Sequence, residues 1–116
     1  MPIVRGHGYS VERHIYRTED DYINTAFRIP GPKGSKVDNS QDRPAILMQH
    51  GLNHSSLSYV LEGPDSLAFF FAEAGFDVWV NNNRGNLYSR QHKFLDPDVD
   101  AAEYFNFSLQ DLGKYD

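Results

Sequence analysis

The fold of this chain is decided by one stretch, Ala45-Ile46-Leu47-Met48-Gln49-His50-Gly51-Leu52. Its first five residues form a nearly unbroken apolar run, which predicts a buried strand over 45–49 with both faces covered. The run stops at a glycine, which brings bare backbone amides close to whatever lies beyond the strand. Ligands of α/β sheets bind beyond the carboxyl ends of the strands. The stretch therefore predicts an α/β fold with a site at this turn.

A helix and a second buried strand follow the turn. Pro64, Asp65 and Ser66 suit the start of a helix, and Gly75 stands where a C′ residue belongs. Between them, four apolar residues fall at the spacing i, i+3, i+4 and i+7, namely Leu67, Phe70, Phe71 and Ala74. The run Phe76–Val80 predicts the next strand, and a right-handed crossover makes the two strands parallel. Residues 44–80 are thus interpreted as a β-loop-α-β unit.

The flanking residues complete a single domain. Two runs rich in β-branched and aromatic residues, Tyr9–Thr18 and Tyr22–Ile29, are separated by three acidic residues. This pattern predicts an antiparallel hairpin over about 9–30. Residues 31–43 are rich in glycine, proline and serine and predict a loop. Residues 81–116 predict a loop and a helix that begins at a capping box, Ser108 to Asp111. We expect one incomplete α/β domain over 1–116, with a mostly parallel sheet.

Composition removes several classes of function. The net charge is −5 over 116 residues, which disfavours a nucleic-acid partner. The chain has no cysteine, so disulfides and thiol catalysis are excluded. No apolar run reaches the roughly 18 residues that a membrane span needs. The first residues contain no apolar segment of the kind a signal peptide has.

The His-Gly turn is the strongest candidate for chemistry. A strand followed by His50-Gly51 and a free amide fits an oxyanion-hole loop, in which the backbone N–H of Leu52 points at a developing oxyanion. The alternative is an ordinary strand-to-loop turn that needs its glycine for steric reasons. No serine of the chain lies in a Gly-x-Ser-x-Gly motif. The nucleophile elbow is therefore absent, and with it a catalytic triad of the α/β-hydrolase kind.

Two patterns resemble metal sites, and we interpret neither as one. His50 and His54 are four residues apart, but they lie in a loop rather than on a helix. The run Asp96–Asp100 resembles a calcium loop, yet Ala101 replaces the turn glycine and Phe107 replaces the bidentate glutamate. We expect no metal, and we interpret His50 as a hydrogen-bonding anchor of its loop.

The loop after the second buried strand reads Asn83-Arg84-Gly85-Asn86. Asparagine and glycine tolerate the left-handed conformations of tight loops. Arg84 could bind a phosphate or pair with a carboxylate. In an acidic chain, an ion pair or a carbonyl contact is the expected use of this side chain, so we interpret these four residues as structuring the loop.

Taken together, the chain resembles the N-terminal part of the acid-lipase family, the gastric and lysosomal lipase group of α/β hydrolases. The similarity runs from about Gly8 to the last residue. It is carried by Gly8-Tyr9-Ser10, Thr18-Glu19-Asp20-Asp21-Tyr22-Ile23, Arg28-Ile29-Pro30, His50-Gly51-Leu52, Ser66-Leu67-Ala68-Phe69, Ala72-Glu73-Ala74-Gly75-Phe76-Asp77-Val78-Trp79, Asn83-Arg84-Gly85-Asn86, Tyr88-Ser89-Arg90-Gln91-His92, and the stretch from Phe107-Ser108 through Lys114-Tyr115-Asp116. Asp21 and Asn81 depart from the family, which usually has glycine at both positions.

The resemblance implies a mixed sheet, hydrolysis of triacylglycerols or sterol esters, and no cofactor. It also implies that Leu52 supplies one oxyanion-hole amide, supported by His50 and Gly51, whereas the triad and the lid lie outside these residues. Relatives are secreted or lysosomal, which the missing signal peptide leaves undecided for this chain.

Two interpretations stay open. In the first, the chain is the N-terminal segment of an acid lipase, is not catalytic alone, and meets a lipid ester only in the full enzyme. In the second, it is a non-catalytic lipase-like subunit or interaction module that binds a partner through an open sheet edge. Under both, we expect the strand over 45–49 to pair with other polypeptide or with the remainder of the chain.

Overall fold

The computed structural model describes residues 1–36, 38, 40 and 42–116. Three residues of the predicted loop over 31–43, namely Val37, Asn39 and Gln41, lie outside the described residues. In chain order, the helices and strands are α1 (Pro2–Gly6), β1 (Glu12–Arg17), β2 (Tyr22–Ile29), β3 (Ala45–Met48), α2 (Leu67–Glu73), β4 (Asp77–Val80), β5 (Gln91–His92), α3 (Ala101–Tyr104) and α4 (Leu109–Tyr115). Two short 3₁₀ turns, Ser56–Tyr59 and Gly63–Asp65, lie between β3 and α2.

The described strands form one mixed sheet in the order β1-β2-β4-β3, and β5 pairs with β2. β1 and β2 form the predicted antiparallel hairpin, with Glu12 opposite Arg28. β3 and β4 are parallel, and β4 lies antiparallel to β2. The two strands of the β3-loop-α2-β4 unit are therefore parallel, as predicted, and the predicted α/β class is confirmed.

The hairpin turn explains one of the two departures from the family. Asp21 has φ +70°, a left-handed conformation that glycine adopts without steric cost. The turn closes with hydrogen bonds from the Thr18 amide to the Tyr22 carbonyl at 2.9 Å and from the Asp21 amide to the Thr18 carbonyl at 3.1 Å. Aspartate tolerates this conformation better than most residues do, so the turn keeps its shape without the glycine.

Helix α2 covers one face of the sheet, but of the residues whose spacing indicated a helix only Phe71 packs against the core. Ala68, Phe69 and Ala72 are buried against the sheet, whereas Phe70 is 64% exposed and Leu67 is also exposed. The three buried residues belong to the core cluster that also contains Val78 and Val80 of β4. The helix ends as predicted, since Gly75 follows the C-cap with φ +94°.

The prediction that β3 is covered on both faces is wrong. Met48 is buried in the core and Ile46 packs against it, but Ala45 is exposed and Leu47 is 67% exposed. The reason is that β3 ends the strand order of the described sheet and α2 covers only one of its faces. An apolar edge strand with an uncovered face is the situation that favours pairing with another strand.

The two ends of the chain pack onto this framework. Helix α1 has no predicted counterpart; it begins with proline in its first turn and buries Val4 in the core. Helix α4 begins at the predicted capping box, with reciprocal hydrogen bonds between Ser108 and Asp111. None of the helices within the described residues is long and apolar enough to cross a membrane.

Candidate functional site

The carboxyl end of β3 leads into a tight turn at the edge of a cleft. The amide of His54 donates to the carbonyl of Gly51 at 3.1 Å, and Asn53 has φ +63°. With Leu52 outside the left-handed region, this is a type II turn whose central residues are Leu52 and Asn53. Within the described part of the chain, the Leu52 amide has no hydrogen-bond partner. The amide predicted to be the donor is thus left without a hydrogen bond at the turn, and Leu52 as a residue is 63% exposed.

Gly51 is not required here by the packing of the chain. Its φ lies outside the left-handed region, and a Cβ placed on it would meet no heavy atom within 4 Å. The steric alternative for this turn therefore has no support among the described residues.

The imidazole of His50 joins the turn to the loop after β4. Its Nδ1 lies 2.8 Å from the carbonyl oxygen of Gly51. Its Nε2 receives hydrogen bonds from the backbone amide of Asn83 at 3.1 Å and from the side-chain amide of Asn86 at 3.1 Å. His50 is 7% exposed, so these contacts hold the two loops at a fixed distance.

The loop after β4 is itself held by a buried asparagine that the sequence analysis did not single out. The Asn82 side chain donates to the carbonyl of Thr25 at 3.0 Å and accepts from the amide of Ser56 at 2.9 Å. It also accepts from the Asn86 side chain at 3.0 Å. Asn82 thus ties β2, the first 3₁₀ turn and the loop together. Its position directly after a buried strand was the only signal in the sequence.

Asn81, the second departure from the family, is also buried and hydrogen-bonded. Its amide nitrogen donates to the Gln49 side chain at 2.9 Å and to the Asp116 carbonyl at 3.0 Å. Its oxygen accepts from the Tyr16 hydroxyl at 2.8 Å. A glycine could make none of these bonds, so asparagine links β1, β3 and the end of α4 in this chain.

Arg84 is the centre of a buried ion-pair cluster. Its side chain donates to Asp20 at 2.5 and 2.9 Å and to Asp116 at 2.8 Å. The guanidinium also lies over the Tyr22 ring, 3.9 Å from its centroid. Arg84 is 3% exposed, so it joins the hairpin turn, the loop after β4 and the end of α4 rather than facing a ligand.

The cluster changes the protonation equilibria of its members. Burial alone would lower the pKa of Arg84, but the carboxylates of Asp20 and Asp116 raise it well above its ordinary value. Burial likewise opposes ionisation of Asp20. The hydrogen bonds from Arg84 and from the Thr18 hydroxyl outweigh that effect and hold the pKa of Asp20 below its usual value. Both groups are therefore charged at neutral pH.

Gly85, unlike Gly51, is required for two reasons. Its φ is +82°, and a Cβ on it would lie 3.2 Å from the Phe105 ring and 3.3 Å from the Phe107 ring. Its amide donates to the Ser89 carbonyl at 2.7 Å. These contacts keep the loop pressed against the aromatic segment that precedes α4.

Two adjoining clefts lie beside the turn. The first has a volume of about 190 Å³ and lies between the turn, the loop after β4 and the aromatic residues Phe105 and Phe107. The second, of about 350 Å³, lies between Leu47 of β3 and helix α4. Leu52 and His50 border both clefts. Leu52 therefore lies at the border between two partly apolar clefts.

The residues that resemble metal ligands are used in other ways. The His54 ring lies 3.1 Å from the Ser58 hydroxyl, away from the contacts of His50. Asp98 pairs with Arg90, with nitrogen–oxygen distances of 2.7 and 3.1 Å, and Asp96 and Asp100 accept backbone amides of their own turn. No group of three or more potential ligand side chains comes together within the described residues.

Comparison with known proteins gives consistent matches. A family model described as the partial alpha/beta-hydrolase lipase region matches residues 1–63. Lipase 1 of Drosophila melanogaster is 42% identical over 115 residues, which are 98% of this chain and 24% of that protein. Gastric triacylglycerol lipase of Rattus norvegicus is 40% identical over 110 residues, 94% of this chain and 27% of the relative. Lipase member K of Homo sapiens is 41% identical over 110 residues, with the same two shares.

The chain spans about a quarter of the length of these curated relatives. The match covers the hairpin, the β3-loop-α2-β4 unit and the segment that follows it. The likeness is therefore to a lipase-type N-terminal region.

Proposed function

This chain belongs to the acid-lipase family of α/β hydrolases, and from that membership we propose that it forms the N-terminal segment of a carboxylic-ester hydrolase. Its substrates would be triacylglycerols or sterol esters, and a relative that it resembles is a triacylglycerol lipase by name. These 116 residues contain no Gly-x-Ser-x-Gly motif. The segment is therefore expected not to hydrolyse esters by itself.

The proposed contribution to catalysis is one oxyanion-hole amide, the backbone N–H of Leu52. The observation that carries this proposal is the type II turn at 51–54, in which the His54 amide donates to the Gly51 carbonyl and the Leu52 amide has no hydrogen-bond partner within the described residues. The space around the α-carbon of Gly51 is also open, since a Cβ placed there would meet no heavy atom within 4 Å. A single oxyanion donor contributes about 10²–10³ to kcat in serine hydrolases, so its removal is measurable.

The proposed partner of the segment is further lipase polypeptide that pairs along β3. This strand is the edge of the described sheet, and its Leu47 side chain is largely exposed. A strand added there would bring its carboxyl end beside the His50-Gly51 turn if it ran parallel to β3. Such a neighbour could deliver a nucleophile to the cleft that Leu52 borders.

A chimera tests both parts of the proposal. The gastric triacylglycerol lipase of Rattus norvegicus is produced with this chain in place of its homologous segment, and hydrolysis of a triacylglycerol emulsion is measured. Two variants isolate the donor. Leu52→Pro removes the amide hydrogen while suiting the second position of a type II turn, and Leu52→Ala keeps the hydrogen but shortens the side chain.

We expect the chimera to be active, the isolated chain to be inactive, and Leu52→Pro to lower kcat about 10²–10³-fold. Leu52→Ala should retain most of the kcat. Equal activity of Leu52→Pro and the parent chimera would exclude this amide as the oxyanion donor. An inactive chimera that folds and is secreted like the parent lipase would count against the lipase role of the segment.

The second candidate is a non-catalytic lipase-like subunit that binds a partner through the same edge. The observation that favours it is again the exposed apolar edge of β3. The intact mass of the natural, untagged protein separates the two candidates. A mass near 13.3 kDa would support the subunit, whereas a mass several times larger would support the N-terminal segment of a complete lipase.

A further inference from the structure

The imidazole of His50 touches the same peptide group that carries the proposed oxyanion donor. Its Nδ1 lies 2.8 Å from the carbonyl oxygen of Gly51. That carbonyl and the Leu52 N–H are the two ends of one planar peptide unit, and no cis peptide bond occurs among the described residues. The two ends of a trans peptide point in opposite directions. Holding the oxygen therefore fixes the direction of the N–H.

The proton of the imidazole is located by its partners. A carbonyl oxygen can only accept, so Nδ1 must carry the hydrogen. The other nitrogen, Nε2, faces two donors, the Asn83 backbone amide and the Asn86 side-chain amide, each at 3.1 Å. Nε2 must therefore be the acceptor. These contacts select a neutral imidazole with its hydrogen on Nδ1.

We propose that His50 is a positioning residue that orients and polarises the Leu52 amide through the Gly51–Leu52 peptide. The hydrogen bonds run in one direction, from the Asn83 amide to Nε2, and from Nδ1–H to the Gly51 carbonyl. The Leu52 N–H, at the far end of that peptide, then donates to the oxyanion. Aligned hydrogen bonds strengthen one another by roughly 10–30% each. This inference rests on the proposed function, because it needs Leu52 to be the donor.

The His54 amide makes a second bond to the same carbonyl, at 3.1 Å. The peptide would therefore keep part of its orientation without His50. We accordingly expect the loss of His50 to lower kcat less than the loss of the Leu52 amide hydrogen does. KM for the ester should change little, because oxyanion contacts strengthen in the transition state.

Two isosteric substitutions in the chimera separate the two ring nitrogens. In His50→Asn, the side-chain amide nitrogen can take the place of Nδ1 and keep the bond to Gly51. In His50→Gln, the side-chain oxygen can take the place of Nε2 and keep the bond from Asn83, but the bond to Gly51 is lost. We expect His50→Gln to lower kcat about three- to tenfold and His50→Asn to stay within about twofold of the parent. A merely structural anchor gives equal losses in the two variants, or a larger loss in His50→Asn, and either result overturns the proposal.

Nitrogen NMR of the ¹⁵N-histidine-labelled chimera supplies a readout that does not depend on activity. The His50 signals, assigned by their absence in His50→Asn, should show a pyrrole-type Nδ1 and a pyridine-type Nε2. The opposite tautomer refutes the proposed role of His50 in orienting the Leu52 amide, even if the chimera hydrolyses esters. A correct tautomer together with a fully active Leu52→Pro variant refutes the donor itself, and the proposed oxyanion role then fails with it.

Discussion

Replacing Arg84 with methionine should destabilise the chain far more than replacing Arg90 with methionine. Both arginines make a bidentate ion pair with an aspartate, Arg84 with Asp20 and Arg90 with Asp98. Arg84 contacts Asp20 and Asp116 in a site where the guanidinium is 1% exposed and the Asp116 side chain is fully buried. Arg90 contacts Asp98 on the surface, where the two side chains are 41% and 75% exposed. The two variants therefore differ in the burial of the ion pair and in the number of carboxylates that lose their partner.

The expected loss for Arg84→Met is about 3–5 kcal/mol of unfolding free energy, because the substitution leaves a buried carboxylate without its counter-charge. That is a large fraction of the about 5–15 kcal/mol by which a domain is stable. The loss of the guanidinium over Tyr22 contributes within the same figure. Arg90→Met should change the stability too little to measure, because water screens an exposed pair.

Urea unfolding followed by the fluorescence of Trp79, the single tryptophan, measures both variants at low protein concentration. Arg84→Lys is a milder variant, which keeps the positive charge but loses the planar set of guanidinium donors. Its urea midpoint should lie between those of the other two variants. Equal urea midpoints for Arg84→Met and Arg90→Met would refute the assignment of Arg84 as a structural ion-pair residue. So would wild-type stability in Arg84→Lys.

Three further results are expected from the same assays. Gly85→Ala should lower the free energy of unfolding by at least about 1–2 kcal/mol, because the φ of Gly85 is positive. Gly51→Ala should leave the free energy of unfolding unchanged. Similar losses in both variants would contradict the steric assignment. Unfolding stability should fall as the pH drops below about 4, since the folded-state pKa of Asp20 is lowered and its contribution disappears as that group protonates. The Asp20→Asn variant should show a flatter pH dependence of the urea midpoint, and an unchanged profile would exclude Asp20. Finally, Leu47→Lys should reduce self-association in sedimentation measurements, because it places a charge on the open edge strand. Leu61 is an exposed leucine outside the sheet, so Leu61→Lys should leave self-association unchanged. A chain that is monomeric without any substitution would contradict this expectation.

Most of the fold that could be predicted followed from local signals at the ends of helices and strands. Gly75 and the pair Ser108 and Asp111 act through hydrogen bonds within four residues. Such signals can be recognised from the sequence alone. The strand boundaries followed from apolar runs: Tyr22–Ile29 matches β2 fully, whereas the run Tyr9–Thr18 is longer than β1 at both ends. The extra residues of that run pack in other ways, as Tyr9 does by stacking on Phe69 at 4.4 Å.

The buried face of α2 could not be predicted because nearly every residue of this short helix is apolar. Over Leu67–Glu73, alanine and phenylalanine occur on all sides, so the hydrophobic pattern has no single direction. Packing selects the side with the alanines. Sequence spacing alone favours the larger residues Leu67 and Phe70, which remain exposed.

The hydrogen-bond and ion-pair partners of the site residues could not be predicted, for a different reason. Arg84 and Asp20 are 64 residues apart in the chain, and His50 and Asn83 are 33 apart. Which carboxylate or amide meets a given side chain depends on the strand order, which brings together the carboxyl ends of β3 and β4. The sequence could indicate that Arg84 needs a counter-charge, but not which one supplies it.

The place of β4 between β2 and β3 has a consequence for synthesis on the ribosome. β3 is made well before the strand that pairs with it, since Asp77, the partner of Ala45, comes later in the chain. At usual translation rates, the intervening segment of about 30 residues takes about 2 to 6 s to emerge. During that interval the apolar residues of β3 have no neighbour on either side. A nascent chain of this family should therefore be an early client of ribosome-associated chaperones.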